Sequence, residues 1–139
     1  MKRYLLLAVC FLVLAALAAR FLPEPEPSPD AIDAAPVPRT ITATEGRVLM
    51  QDGAPYVLID VRTEPEFLAL HIPGAILLPD TELAERITEV TFGLDDRILL
   101  YCQTGRRSAN AATRLVELGY FNVYDMGGIV NWPYETVSG

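Results

Sequence analysis

The chain has 139 residues, of which 51% are hydrophobic and 21% charged, and its formal net charge is −7. This length supports one hydrophobic core and is short for two domains. The acidic balance, with a single lysine at position 2, disfavours a nucleic-acid-binding surface. One histidine and two cysteines are too few soft ligands for a zinc finger or an iron–sulfur cluster, so neither a metal nor a cofactor is expected.

The amino terminus carries an export or anchoring signal. Residues 4–19 are uncharged and mostly apolar, and they follow Lys2 and Arg3, the cationic flank that orients such segments. Residues 16–18 form an A-x-A site typical of a cleaved signal peptide, whereas an apolar helix extended to Leu22 approaches the length of a membrane span. Residues 1–22 are therefore either a signal peptide or a membrane anchor, and both place the following domain outside the cytoplasm.

Residues 23–38 are predicted to be a linker. Six of the eleven prolines lie in this stretch, together with four acidic residues. Such a composition lacks both backbone donors and apolar side chains, so we expect a disordered, extended spacer. The folded domain is then residues 39–139.

Within the domain, short apolar runs alternate with polar segments. The runs at residues 56–60, 75–78, 98–101 and 122–124 are mostly apolar rather than alternating, which is typical of buried parallel strands. The polar segments between them carry helix-start signals, so the predicted fold is α/β, with a central parallel sheet flanked by helices.

The helix boundaries follow from capping residues. The predicted starts are the pairs Thr42/Glu45 and Thr63/Glu66, which have capping-box spacing, and Asp80 or Thr81 ahead of a helix that reaches residue 89. A last helix is predicted over residues 107–118, ended by Gly119, since glycine suits the left-handed conformation after a helix.

The most informative segment begins where the third run ends. Ligands of open parallel sheets bind beyond the carboxyl ends of strands, and Cys102 lies there. A glycine and two arginines follow before the last helix, so successive amides can form an anion nest around the thiol. Because such a nest favours the thiolate, Cys102 is predicted to be a catalytic nucleophile. The candidate substrate-binding loop residues are Gln103, Thr104, Gly105, Arg106, Arg107 and Ser108.

The cysteine count supports this interpretation. Cys10 lies in the amino-terminal signal, which leaves Cys102 as the one cysteine of the domain, in a compartment where cysteines usually pair. The loop has no second cysteine at C-x-x-C spacing, so thioredoxin-like exchange is disfavoured.

Four blocks, in order and spacing, resemble a rhodanese domain. They are residues 57–62 (VLIDVR), residues 71–75 (HIPGA), the Cys102 loop and residues 127–132 (GGIVNW). The resemblance implies a single rhodanese-like domain and a sulfurtransferase, in which Cys102 takes a sulfane sulfur from a donor as a persulfide and passes it to a nucleophilic acceptor. It also implies that Asp60 and Arg62 support the site.

The nearest rival chemistry is phosphate-ester hydrolysis, in which a cysteine and an arginine with five residues between them wrap a phosphate. Here four residues separate Cys102 from Arg107, and Tyr101 rather than a histidine precedes the cysteine. The shorter loop of the rhodanese family suits one sulfur atom, so phosphatase activity is disfavoured.

The two arginines are assigned different tasks. Arg106 is either a ligand for an anionic donor such as thiosulfate or a solvated surface residue. Arg107 is expected to organise the loop, paired with Asp60 or Glu64.

Two further residues have structural interpretations. His71, the only histidine, is favoured as structural, because sulfur transfer through a preformed thiolate needs no dedicated base. Trp132 is predicted to cover the core.

Two functional hypotheses remain. The first is an exported, monomeric sulfurtransferase that uses a small anionic sulfur donor and a thiol, cyanide or protein acceptor. The second is a rhodanese-like binding or persulfide-carrier module without turnover, held at the membrane through residues 4–22 if these are not cleaved.

Overall fold

The computed structural model describes residues 36–139. The predicted signal or anchor at residues 1–22 and all but the last three residues of the predicted linker lie outside this range. No helix in the described part of the chain has the length and apolar character needed to cross a membrane.

A five-stranded parallel sheet forms the centre of the domain. Its strands are β1 (Arg39–Thr40), β2 (Val57–Asp60), β3 (Ile76–Leu77), β4 (Ile98–Cys102) and β5 (Val123–Gly128), in the order β1-β5-β4-β2-β3. Every neighbouring pair is parallel, which confirms the predicted fold class. Strand β1 was not predicted, because its two exposed polar residues carry no apolar run.

Four α-helices flank the sheet: α1 (Ala43–Gln51), α2 (Glu64–Ala69), α3 (Leu83–Arg86) and α4 (Arg106–Glu117). Short 3₁₀ turns cover Ile87–Glu89 and Ile129–Asn131. The predicted box at Thr42 is present, since the Thr42 hydroxyl accepts from the Glu45 amide at 3.2 Å and the Glu45 carboxylate accepts from the Thr42 amide at 2.7 Å. Helix α4 ends as expected before Gly119, whose φ is +97°.

The predicted cap of the third helix is wrong. Helix α3 begins at Leu83 after Glu82, and no side chain caps it. The Asp80 amide instead donates to the Val61 carbonyl at 3.1 Å, and the Glu82 amide donates to Pro79 at 2.9 Å. Residues 79–82 therefore form a turn tied to the end of β2, and this tertiary bond outweighs the local capping preference of Asp80 or Thr81.

The core has two layers, one on each face of the sheet. All five residues of β4 are buried, and alternate ones point to opposite layers. Helices α3 and α4 cover one layer, whereas α1 and the carboxyl-terminal segment cover the other. Trp132 is only 8% exposed, packs in the second layer and donates from Nε1 to the Glu135 carbonyl at 3.1 Å. The central strand β4 thus places Cys102 at the middle of the carboxyl edge of the sheet.

Candidate active site

Cys102 is the last residue of β4 and is 1% exposed. The register between β4 and β5 shifts after Leu100, so that Cys102 pairs with Gly128. Such irregularities re-aim side chains next to functional sites. The Gly105 amide donates to the Cys102 sulfur at 3.0 Å, which shows that the loop turns back on the thiol.

Glycines allow the loop to fold this tightly. Gly105 has φ +103° and lies at the start of α4, in a conformation that disfavours any residue with a Cβ. Gly128 lies directly beneath the loop, because a Cβ on it would come within 2.6 Å of the Gln103 carbonyl oxygen and 2.7 Å of the Thr104 Cα. The loop therefore requires a glycine on β5 as well as a glycine of its own.

Hydrogen bonds to the sulfur favour the thiolate. Burial by itself raises the pKa of Cys102, but the nearby donors of Ser108, Gly105 and Thr104 together lower it by more, and of these the Gly105 amide is hydrogen-bonded to the sulfur at 3.0 Å. The net pKa lies below its ordinary value. Donors that stabilise the anion in this way activate a cysteine as a nucleophile.

Arg107 organises the loop through a partner that was not predicted. Its two terminal nitrogens donate to the two carboxylate oxygens of Glu66 at 2.9 and 2.6 Å. The expected pairing with Asp60 or Glu64 is wrong, because Arg62 already occupies Asp60. Glu64 lies two residues from Glu66 on α2, and positions two apart on a helix do not share a face.

Glu66 joins the start of α2 to the Cys102 loop. Besides Arg107, its carboxylate accepts from the amide and the hydroxyl of Thr63 at 2.9 and 2.7 Å. The Arg107 hydrogen bond is the main cause that lowers the pKa of Glu66 to about 2. Sequence reasoning assigned Glu66 only a capping role, and nothing in its spacing pointed to Arg107, 41 positions away.

Asp60 and Arg62 form a buried ion pair behind the loop. Asp60 is fully buried and Arg62 is 2% exposed, and the closest distance between them is 2.8 Å. Arg62 also donates to the Leu70 carbonyl at 2.6 Å and to the Gln103 side-chain oxygen at 3.0 Å. Arg62 thus contacts the Cys102 loop directly through Gln103, and Asp60 holds Arg62 in place.

Arg106 and Thr104 are the exposed residues of the loop. Arg106 makes no ion pair with any residue between positions 36 and 139. Its charge is consequently free to meet an anion, whereas the charge of Arg107 is already compensated by Glu66.

His71 makes its contacts with α2 and with the carboxyl-terminal segment. Its ring stacks on Phe67 with centroids 3.8 Å apart, and Nδ1 is 2.9 Å from the Phe67 carbonyl oxygen. Its backbone pairs with Val137 in an antiparallel bridge. These contacts give His71 a structural setting, as the sequence favoured.

Two clefts lie outside the Cys102 loop. One of about 350 Å³ lies at the amino ends of the strands and is lined by residues that include Tyr56, Phe92 and Asn122. The other, of about 300 Å³, is lined by charged residues of α2 and α3 with Leu77 and Pro79. Neither cleft is lined by Cys102. The candidate site is therefore located by the lowered pKa of this thiol and not by the size of a cleft. Residues 36–139 contain no cluster of three metal-ligating side chains.

The chain belongs to the rhodanese-like domain family, which it matches over residues 42–134. The fold agrees with this assignment. It is similar to a solved structure of a rhodanese with anions from E. coli, which is 34% identical, has a TM-score of 0.59, and covers 61% of this chain and 100% of that one. The resemblance identified from the sequence blocks is thus confirmed.

Two relatives indicate the kind of chemistry. The thiosulfate sulfurtransferase PspE of Escherichia coli (strain K12) is 36% identical over 81 residues, which are 58% of this chain and 78% of PspE. The thiosulfate sulfurtransferase GlpE of Pseudomonas syringae pv. syringae (strain B728a) is 35% identical over 106 residues, covering 73% of this chain and 96% of GlpE. These relatives support a sulfurtransferase role.

The Glu66 contacts predict a pH-dependent stability. Because folding lowers the pKa of Glu66 from 4.5 to about 2, its carboxylate stabilises the native state above pH 4.5 and loses that effect as the pH falls toward 2. Glu66→Gln should therefore be less stable than wild type at neutral pH, and the difference should disappear across this window. Urea unfolding at a series of pH values measures it. Glu85→Gln on α3, exposed and outside the ion pairs of residues 36–139, controls for loss of a surface charge. A pH-independent difference would contradict the assignment.

Proposed function

We propose that this protein transfers sulfane sulfur through a persulfide on Cys102, with thiosulfate or a similar anion as donor. The observation that carries the proposal is the buried Cys102 sulfur, which accepts the Gly105 amide at 3.0 Å in a loop that lowers its pKa. A thiolate is the form of cysteine that attacks sulfur.

The first half-reaction is a displacement at sulfur. The Cys102 thiolate attacks the outer sulfur of thiosulfate, the sulfur–sulfur bond of thiosulfate breaks, and sulfite leaves with the electron pair. The product is a persulfide whose terminal sulfur carries the negative charge. The terminal sulfur lies one S–S bond, about 2.05 Å, beyond Sγ, and the N–H groups of the loop around Cys102 are the donors available to stabilise its charge.

The second half-reaction regenerates the enzyme. A nucleophilic acceptor attacks the terminal sulfur, and the Cys102 thiolate leaves. Cyanide serves as a laboratory acceptor and yields thiocyanate, whereas a thiol or a protein is the expected natural acceptor. Neither step changes the total charge or needs an added oxidant.

Mass spectrometry of the intact protein tests the persulfide. Thiosulfate should add the mass of one sulfur atom to the wild type and nothing to Cys102→Ser, which should keep its circular dichroism spectrum and lose thiosulfate-dependent thiocyanate formation. A carrier without turnover would gain the sulfur but form no thiocyanate. A binding module would gain nothing, and activity in the serine variant would refute the assignment of Cys102.

Replacing the two loop arginines should change different properties of the enzyme. Arg106→Ala should raise the thiosulfate KM about fivefold with little change in kcat, because it removes one exposed ionic contact. Arg107→Ala should lower kcat and Tm together, because it breaks the contact with Glu66. Arg114→Ala, on the exposed face of α4, is the matched control. Swapped outcomes for Arg106 and Arg107 would contradict this division.

The proposed location is outside the cytoplasm, either free after signal cleavage or anchored through residues 4–22. Its support is the sequence alone, in which Lys2 and Arg3 precede the apolar run. An anchored protein should pellet with membranes and resist carbonate extraction, whereas a cleaved one should be soluble and begin near residue 19. Soluble protein that retains Met1 would refute both forms.

A further inference from the structure

Gln103 is the loop residue whose role the proposed function does not explain. It follows Cys102 directly, yet its side-chain oxygen accepts from Arg62 at 3.0 Å. A guanidinium group has donors only, so the amide oxygen of Gln103 must be the atom that faces it. The side chain is thereby held against the buried ion pair behind the loop.

Each nitrogen of the Arg62 guanidinium donates a hydrogen bond. Its Nε and Nη2 donate to Asp60, and Nη2 also donates to the Leu70 carbonyl. Gln103 is the acceptor of Nη1 among residues 36–139. Because Arg62 and Asp60 are 2% and 0% exposed, this guanidinium is a fixed point to which Gln103 is attached.

The backbone of Gln103 is held as well. Its carbonyl accepts from the Val130 amide at 3.4 Å and lies against Gly128. In a trans peptide the carbonyl and the following N–H point in opposite directions. With the Gln103 carbonyl directed at Val130, the Thr104 N–H points away from β5, toward the loop in which the Gly105 amide donates to the Cys102 sulfur at 3.0 Å.

We propose that Gln103 is a positioning residue: its hydrogen bond to the buried Arg62 holds the loop backbone in the conformation that directs the Gly105 amide at the Cys102 sulfur. The first residue after the cysteine would then serve the anion through the loop backbone rather than contact the substrate with its side chain. The inference rests on the proposed function only for its effect on turnover, because the state of the thiolate can be measured without sulfur transfer.

Gln103→Met is the decisive variant, since methionine keeps the length of the side chain and removes the oxygen acceptor. Gln103→Glu keeps an acceptor for Arg62 and should restore the contact. Gln51→Met, the same change at the exposed end of α1, is the matched control. The readout is the rate of iodoacetamide alkylation of Cys102 against pH, followed in the full chain by mass spectrometry of the tryptic peptide 98–106, which separates Cys102 from Cys10.

The wild type should titrate below the value of free cysteine, about 8.5. Gln103→Met should move the midpoint upward and slow alkylation at neutral pH about fivefold, the size expected for weakening one hydrogen bond to an anion. Gln51→Met should stay near wild type, and Gln103→Glu should shift the midpoint less than Gln103→Met, because it keeps the contact with Arg62 although its charge disfavours a nearby thiolate. In thiocyanate formation, Gln103→Met should lower kcat and leave the thiosulfate KM nearly unchanged.

The outcomes separate the two proposals. An unchanged alkylation midpoint in folded Gln103→Met would overturn the role of Gln103, even if sulfur transfer is present. A midpoint that methionine shifts and glutamate shifts less would support it, even if no persulfide forms and the proposed function fails. If the methionine variant does not fold, Gln103→Ala takes its place with the same expected shift.

Discussion

The site depends on one constraint: a sulfur anion must be stable where water scarcely reaches it. Cys102 is 1% exposed, and burying an unpaired ion costs several kcal/mol. This fold compensates the charge with N–H groups from a tight loop rather than with a contacting cation. A tight loop of this kind requires glycine at two positions, Gly105 with its left-handed conformation and Gly128 beneath the loop. A side chain at either position would prevent the loop from closing around the sulfur.

The arginine side chains around the loop hold the loop in position rather than neutralise the charge of the thiolate. Arg107 is held by Glu66, and Arg62 is held by Asp60, so each guanidinium has its own carboxylate. These pairs tie the loop to α2 and β2, two elements that the chain order places well before it. Arg106 alone remains exposed without a partner among residues 36–139. A negatively charged donor would therefore meet one free cation at the rim and neutral amide donors inside.

Membership in the rhodanese-like family and the local chemistry support each other from independent directions. The family match covers residues 42–134, and the loop, the strand end and the paired carboxylates all lie within it. The geometry adds what a family match does not provide, namely which atom holds each part of this particular loop. Gln103 is the clearest case, because its contact with Arg62 joins the buried ion pair to the residue next to the nucleophile.

Much of the fold could be predicted because its signals are local. The apolar runs marked four of the five strands, and the Thr42–Glu45 box and Gly119 marked helix ends through contacts only a few residues long. Cys102 was identified in the same way, since a cysteine at a strand end followed by glycine and arginines needs no distant partner to be recognised. Strand β1 was not predicted, because its pairing with β5 rather than its own residues makes it a strand.

The sequence by itself determined the parallel α/β fold and located Cys102, the proposed nucleophile, at the strand end where the loop begins. Only the tertiary structure decided which carboxylate holds which arginine. Asp60 and Glu64 were the expected partners of Arg107, and Glu66 holds it instead, because Arg62 occupies Asp60 and the rotation of the helix turns Glu64 to another face. Likewise, nothing in the order of residues shows that Gln103 faces Arg62, 41 positions earlier. Such pairs depend on strand order and helix rotation, which are set by packing the whole sheet, whereas capping and turn signals depend only on chain neighbours.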